Sequence, residues 1–200
     1  MMVQYTNPPQ GKICGPGVRV GWCEASPKFA YGVSQTGTTC SGGAPSQLTS
    51  TYMDRLLRTG FLEKHIFSVL QPAYAQRYKT LVKTVEDELG PLGVTLPQQN
   101  REVVGGFFIW LTLPETVEAE ELSQRCQEEA DVFIAPGSIF EVPGDDSVKF
   151  RQGVRLTFSW VDTELMVEGV KRVKKVLERA LRGEKADNGT RSQKGLGQIK

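Results

Sequence analysis

Histidine is nearly missing from this chain: His65 is the only one in 200 residues. It stands in Leu62-Glu63-Lys64-His65-Ile66, a helical context where a lone imidazole is more often a surface group than a catalyst. Cysteine is sparse too. Cys14, Cys23, Cys40 and Cys126 are irregularly spaced and form no Cys-x-x-Cys pair, so a zinc framework has no ligand set. Free thiols in a reducing compartment are the expectation, which points to the cytoplasm. Charge of one sign is also lacking. With 24 Lys and Arg against 23 Asp and Glu the formal charge is +1, and no global field draws the chain to nucleic acid or a membrane. No apolar run approaches the roughly 20 residues of a transmembrane helix. Residues 1–10 are polar and lack the apolar segment of a secretory signal.

What is present is an uneven texture. Residues 1–50 are rich in Gly, Ser, Thr and Pro and read as loops, turns and a short strand or two, without a core of their own. From Ser46, a candidate N-cap, Leu48, Tyr52, Met53, Leu56 and Leu57 fall on one helical face. A second helix is expected near Leu62. After Pro72 the apolar residues Tyr74, Tyr78, Leu81, Val82, Val85 and Leu89 keep the helical period. Proline lacks a backbone donor, so a kink or two helices is expected there rather than one straight rod. Strands are expected over 103–113, 132–135 and 154–160, with a helix over 117–130. Asp162 should cap a last helix whose stripe runs Leu165, Met166, Gly169, Val170, Val173, Val176, Leu177 and Leu181. The basic run Lys171 to Arg182, interleaved with Glu168 and Glu178, reads as a solvated helix face. From 183 the periodicity stops, and a disordered tail over 183–200 is expected.

The chemistry concentrates in Gly11-Lys12-Ile13-Cys14-Gly15-Pro16-Gly17-Val18-Arg19-Val20-Gly21-Trp22. Glycines let the chain turn tightly between a lysine and an arginine. The lysine can form an imine with an aldehyde if its pKa is brought down from about 10.4 by desolvation or a neighbouring cation. The arginine can clamp a phosphate with its planar fork. On the residues alone, both read as ordinary exposed loop cations, since matches this short recur by accident. Two other glycine loops fail: a Walker A loop needs Ser or Thr where Ile13 stands, and a dinucleotide fingerprint needs a strand where Pro8 and Pro9 stand. Arg155, in the apolar run Val154-Arg155-Leu156-Thr157-Phe158, needs an anion if it is buried. Otherwise it is an edge-strand arginine that snorkels to solvent or pairs with a carboxylate such as Asp162.

The segment from Lys12 to Trp22 resembles the cofactor-lysine segment of the fold-type-I pyridoxal-phosphate aminotransferases, class I/II, with Val18 in place of the usual leucine. It is most similar to the aminoadipate and broad-specificity branch. The resemblance continues through Gly105-Gly106-Phe107-Phe108-Ile109-Trp110-Leu111, Ala135-Pro136-Gly137-Ser138-Ile139-Phe140 and Val154-Arg155-Leu156-Thr157-Phe158-Ser159. It implies an α/β fold, namely the C-terminal small domain of that fold plus a fragment of the large PLP-binding domain. Residues 1–50 would be the fragment, 51–182 the interdomain helices and small domain, and 183–200 the tail. The resemblance implies a transaminase that moves an amino group between an L-amino acid and a 2-oxo acid through a lysine aldimine. Pyridoxal 5'-phosphate is then the cofactor, Lys12 the catalytic and cofactor-binding lysine, and Arg19 the phosphate ligand. Arg155 would bind the substrate α-carboxylate, with Gly106 and Phe140 beside the substrate. A turn at Gly105-Gly106 and a core role for Phe140 are the plain alternatives. The segment 41–46 resembles the stretch before the helix that reaches toward a partner subunit's phosphate pocket, with a plain flexible loop as the alternative, and a homodimer of the full-length form is implied, with no metal.

The chain departs from that pattern upstream. Pro9 and Gly11 stand where the family has serines that help hold the phosphate. The family's ring-stacking aromatic, its aspartate on the ring nitrogen and its Asn or Tyr at the ring hydroxyl find no counterpart in residues 1–10. The aspartate keeps the ring an electron sink. The expectation is a fragment, truncated gene model or alternative start that alone binds the cofactor weakly and transaminates negligibly. Two other readings stand: a lyase or cyclopropane-forming synthase of the same fold, and a non-catalytic effector or remnant domain.

Overall fold

The computed structural model describes residues 25–37, 46–97 and 106–185. The chain divides into two compact units, Met1–Pro72 and Ala73–Lys200. In the first unit α1 (Pro27–Ser34) is capped by Ser26, whose hydroxyl accepts from the Phe29 N–H, with Pro27 at the first helical position. The sequence pattern predicts loops, turns or a short strand here. Ser-Pro is a helix-start signal in its own right, and α1 buries no residue, so the missing apolar stripe concealed it. Next comes α2 (Gln47–Arg58), capped as expected by Ser46, which accepts from Thr49 N–H. Of its expected apolar face only Met53 is buried, while Leu48, Tyr52 and Leu57 are exposed.

After α3 (Phe61–His65) the backbone widens into a π turn, Ile66–Leu70, closed by the Gln71 N–H donating to the Ile66 carbonyl. The turn ends two residues before Pro72, the second residue of α4 (Gln71–Glu88). An α-helical bond at Pro72 is impossible, because proline has no donor and its ring crowds the carbonyl four residues back. A π turn at such a place absorbs the interruption. The expected break is thus present as a change of helix type.

The second unit is built on a three-stranded antiparallel sheet, β1 (Phe108–Thr112), β2 (Ala135–Pro136) and β3 (Gly153–Thr157), in the order β1-β3-β2. Directly opposed residues share a face. Ile109 and Leu111 face Leu156 and Val154, while Phe108 and Trp110 face Thr157 and Arg155. The first set is buried with α4, α5 (Ala119–Ala130) and α6 (Thr163–Leu181). Leu81, Val85 and Leu89 come from α4 and its end, Leu122 and Cys126 from α5, and Val170, Val173, Val176 and Leu177 from α6. Each such buried aliphatic chain contributes about 1.5–3 kcal/mol. The helices therefore cover one sheet face, and the other face, with Phe108, Trp110 and Arg155, is left for the site.

Strand ends are shorter than the sequence predicts. Of the 132–135 run only Ala135 pairs, together with Pro136 beyond it, and β3 stops at Thr157, leaving Trp160 83% exposed. Leu165 and Leu181, read as part of the α6 stripe, are exposed. The basic face of α6 is tied by ion pairs. Lys174 reaches Glu88 at 2.8 Å, and Arg172 reaches Glu168 at 3.1 Å. Arg179 reaches Glu129 at 2.9 Å. Arg125 of α5, 3% exposed, joins Glu129 at 2.9 Å and the Glu184 carbonyl at 2.9 Å, leaving its Nη2 without a partner. No helix among the described residues is long and apolar enough to cross a membrane. Residues 186–200, the rest of the expected tail, lie outside the described residues.

Candidate functional site

Arg155 lies on the middle strand, directly opposite Trp110 on one side and Ala135 on the other. A position in mid-sheet removes the edge-strand reading. Its guanidinium carbon sits 4.0 Å from the centroid of Phe108 and 4.5 Å from that of Phe140. No hydrogen bond or ion pair of the guanidinium occurs among the described residues, and the pairing with Asp162 is absent. Asp162 instead occupies the cap position of α6, without a side-chain cap bond. Guanidinium–ring stacking uses the faces of the cation and leaves its in-plane N–H donors available. Those nitrogens are not among the buried orphaned atoms, a set that contains only Arg125 Nη2 within the described residues. The arrangement is a guanidinium over two aromatic rings whose donors meet no acceptor among the described residues, which suits a planar carboxylate.

Local contacts from several elements hold the walls. Phe108 is the same-face diagonal neighbour of Arg155 in the register, within reach of a long side chain. Phe140 closes the 3₁₀ turn Gly137–Phe140 that follows β2. A Cβ on Gly137 would fall 2.4 Å from the Phe150 carbonyl oxygen, so only glycine lets this turn lie against the segment before β3. Ser138 Oγ donates a short hydrogen bond to Glu120 Oε2 and ties the turn to α5. Trp110 packs edge-on against Phe140 at 5.7 Å and against Phe150 at 5.4 Å. Phe150 is held in turn, its N–H donating to Glu141 Oε1 at 2.8 Å. That bond, followed by Lys149, holds the Glu141 carboxyl below its ordinary value.

The far end of β3 is fixed as well. Arg77 of α4 donates to the Phe158 carbonyl at 2.5 Å and to the Val161 carbonyl. Tyr78 meets the Phe158 ring edge-on at 5.6 Å, and Tyr74 meets Phe107 at 5.0 Å. Gly106, just before Phe107, has φ +97 and open space where a Cβ would be. A backbone conformation, not a tight contact, asks for glycine there.

Of the residues singled out from sequence, the structure brings Arg155 and Phe140 together. Lys12 and Arg19 lie outside the described residues, as do Gly105, Cys14, Cys23, Cys40 and the segment 41–45. Phe108, Trp110, Phe150 and Gly153 were not singled out as site residues. The parity of Phe108 and Trp110 in β1 was available as a signal, but the pairing that sets them against Arg155 is tertiary. His65 stacks on Phe61 at 6.4 Å within α3. The Cys126 thiol is fully buried and is pushed up to about 12, first by burial and then by Glu129. It is a packing group. No cluster of metal-ligating side chains occurs among the described residues.

Residues 13–173 match the family Aminotransferase class I and II. An uncharacterised protein of Saccharomyces cerevisiae is 31% identical over 82% of this chain, which covers 36% of that protein. Aromatic-amino-acid aminotransferase 1 of Thermococcus litoralis is 28% identical over 86% of this chain, which covers 38% of it. The crystal structure of LysN, an alpha-aminoadipate aminotransferase of Thermus thermophilus complexed with N-(5'-phosphopyridoxyl)-L-leucine, superimposes with a TM-score of 0.70. It is 25% identical, and the match covers 85% of this chain and 40% of that one. The chain thus spans well under half of the length of these relatives, and its mixed helix-and-sheet architecture is part of the fold-type-I aminotransferase fold. On the family match, which covers residues 13–173, the chain belongs to the class I and II aminotransferases.

Proposed function

We propose that this chain carries the substrate-carboxylate side of a pyridoxal-phosphate-dependent transaminase, which moves an amino group between an L-amino acid and a 2-oxo acid. One observation carries the reading. Arg155 is held between Phe108 and Phe140 in the middle of the sheet, with no carboxylate of the described residues on its donor edge. A guanidinium so placed takes up a planar anion in its own plane, and two parallel N–H···O bonds fix the substrate's orientation. Phe140 forms one wall of that pocket, and Gly106 sets the chain direction into β1 beside it. Lys12 is assigned to bind the coenzyme and to carry the proton at the substrate α-carbon, and Arg19 to hold the coenzyme phosphate. When bound, the coenzyme supplies an electron sink for charge developing at that carbon. The full-length form is assigned as a homodimer in the cytoplasm, with 1–50 belonging to the large domain and 51–182 to the interdomain helices and small domain.

The test is reduction of the chain with borohydride in the presence of pyridoxal phosphate, followed by peptide mass spectrometry. A phosphopyridoxyl adduct on Lys12, lost in Lys12→Ala, supports the assignment. Adducts spread over surface lysines with none at Lys12 contradict it. A parallel half-reaction with 2-oxoglutarate separates transamination from lyase or synthase chemistry, because only transamination yields glutamate.

A further inference from the structure

We infer that Trp110 is a positioning residue for the Arg155 carboxylate clamp, an inference that rests on the reading just given for Arg155. Trp110 is the cross-strand partner of Arg155, yet its ring is not one of the two that face the guanidinium. Its contacts run elsewhere. A Cβ built on Gly153 would lie 2.3 Å from Trp110 Cζ2 and 3.0 Å from Cε2, so the indole lies over the backbone of β3 where a side chain would otherwise stand. Two rings then meet that indole edge-on: Phe150 at 5.4 Å with planes 73° apart, and Phe140 at 5.7 Å with planes 67° apart. Phe140 carries the contact forward to the guanidinium carbon, 4.5 Å from its centroid.

The consequence is a short mechanical series, from the bare backbone at Gly153 through the indole to one wall of the clamp. Phe140 stands at the end of a 3₁₀ turn and is 37% exposed, with the indole packed edge-on to its ring. Without the indole the ring can rotate off the cation. Arg155 then keeps only Phe108 and regains rotamer freedom that must be lost again on binding. Trp110 therefore sets how well the donor edge of Arg155 is presented, without touching the carboxylate.

The experiment uses the 200-residue chain with ¹⁵N-labelled arginine, titrated with 4-methyl-2-oxopentanoate and read at the Arg155 Nε–H resonance, which is assigned by its loss in Arg155→Lys. Trp110→Leu is expected to weaken binding about tenfold, and Trp110→Phe, which keeps an aromatic edge for Phe140, to stay within about threefold, in line with the loss of one cation–π wall. Because Trp110 acts through Phe140, the double variant Trp110→Leu/Phe140→Leu should bind no more weakly than Phe140→Leu alone. A Trp110→Leu protein that binds as the wild type, or additive losses in the double variant, would overturn the inference and leave the reading of Arg155 standing. A wild-type Arg155 resonance that does not respond to the oxo acid sinks that reading and this inference with it. A second measurement needs no variant. Wild-type nuclear Overhauser contacts should link the Trp110 indole to the Phe140 ring, and that ring to the Arg155 Hδ protons; their absence overturns the inference even if Trp110→Leu fails to fold.

Discussion

Replacing Gly153 by alanine adds one methyl group at the base of the site. The new carbon would lie 2.3 Å from Trp110 Cζ2, 3.0 Å from Cε2 and 3.2 Å from the Phe150 Cβ. Ordinary contact begins near 3.4 Å, so the indole must withdraw by about 1 Å. Phe140 and Phe150 pack edge-on against it, at 5.7 and 5.4 Å, and restrict where it can go. Overpacking of this kind costs about 1–3 kcal/mol. Gly169 supplies the opposite case. It lies within α6, nothing is within 4 Å of its built Cβ, and alanine there should stabilise by about 0.5–1 kcal/mol through helix propensity. Urea unfolding followed by circular dichroism reads both. With a slope of about 2 kcal/mol/M, Gly153→Ala lowers the midpoint by about 0.5–1.5 M, while Gly169→Ala raises it by about 0.25–0.5 M. A Gly153→Ala midpoint at or above wild type would refute the packing argument.

Three further outcomes follow from the same geometry. Arg125→Ala removes one partner of a buried pair, but Glu129 keeps Arg179 at 2.9 Å. The loss should therefore fall at the low end for buried ion pairs, about 3 kcal/mol by denaturant unfolding, and an unchanged stability would contradict it. Glu141 is held below its ordinary 4.5 by the Phe150 N–H and then by Lys149. Its folded value is the lower one, so its stabilising contribution is complete above 4.5 and is lost as pH falls through the folded value. Hydrogen exchange at the Phe150 amide should rise, relative to other amides, with acidification below 4.5, and Glu141→Gln should remove that added pH dependence. Cys126, buried with its thiol pushed up to about 12, should resist iodoacetamide at about pH 8 in the folded protein and react after unfolding, as read by peptide mass spectrometry.

The sequence showed most plainly what one-dimensional period encodes. The spacing of Leu81, Val85 and Leu89, of Leu122 and Cys126, and of Val170, Val173 and Leu177 placed three helices on one core. Ser46 marked the start of α2. What escaped were features set by long-range pairing. That β3 is the middle strand follows from its partners on both sides, not from its own residues. The walls around Arg155 come from β1 and from the turn after β2, brought together only by register. The stripe on α6 overreached at Leu165 and Leu181 because periodicity does not report where the sheet ends. Arg125 stood unnoticed on an apolar helix face, although its Glu129 partner lies four residues on, the spacing at which helical side chains meet.

The central claim is that Arg155 receives the substrate carboxylate. A crystal structure of the chain bound to N-(5'-phosphopyridoxyl)-L-leucine tests it most directly. The predicted result is the leucyl carboxylate in the plane of the Arg155 guanidinium, with two N···O distances of about 2.7–2.9 Å between Phe108 and Phe140. A carboxylate bound elsewhere, or an Arg155 turned away to pair with a protein side chain, would contradict it.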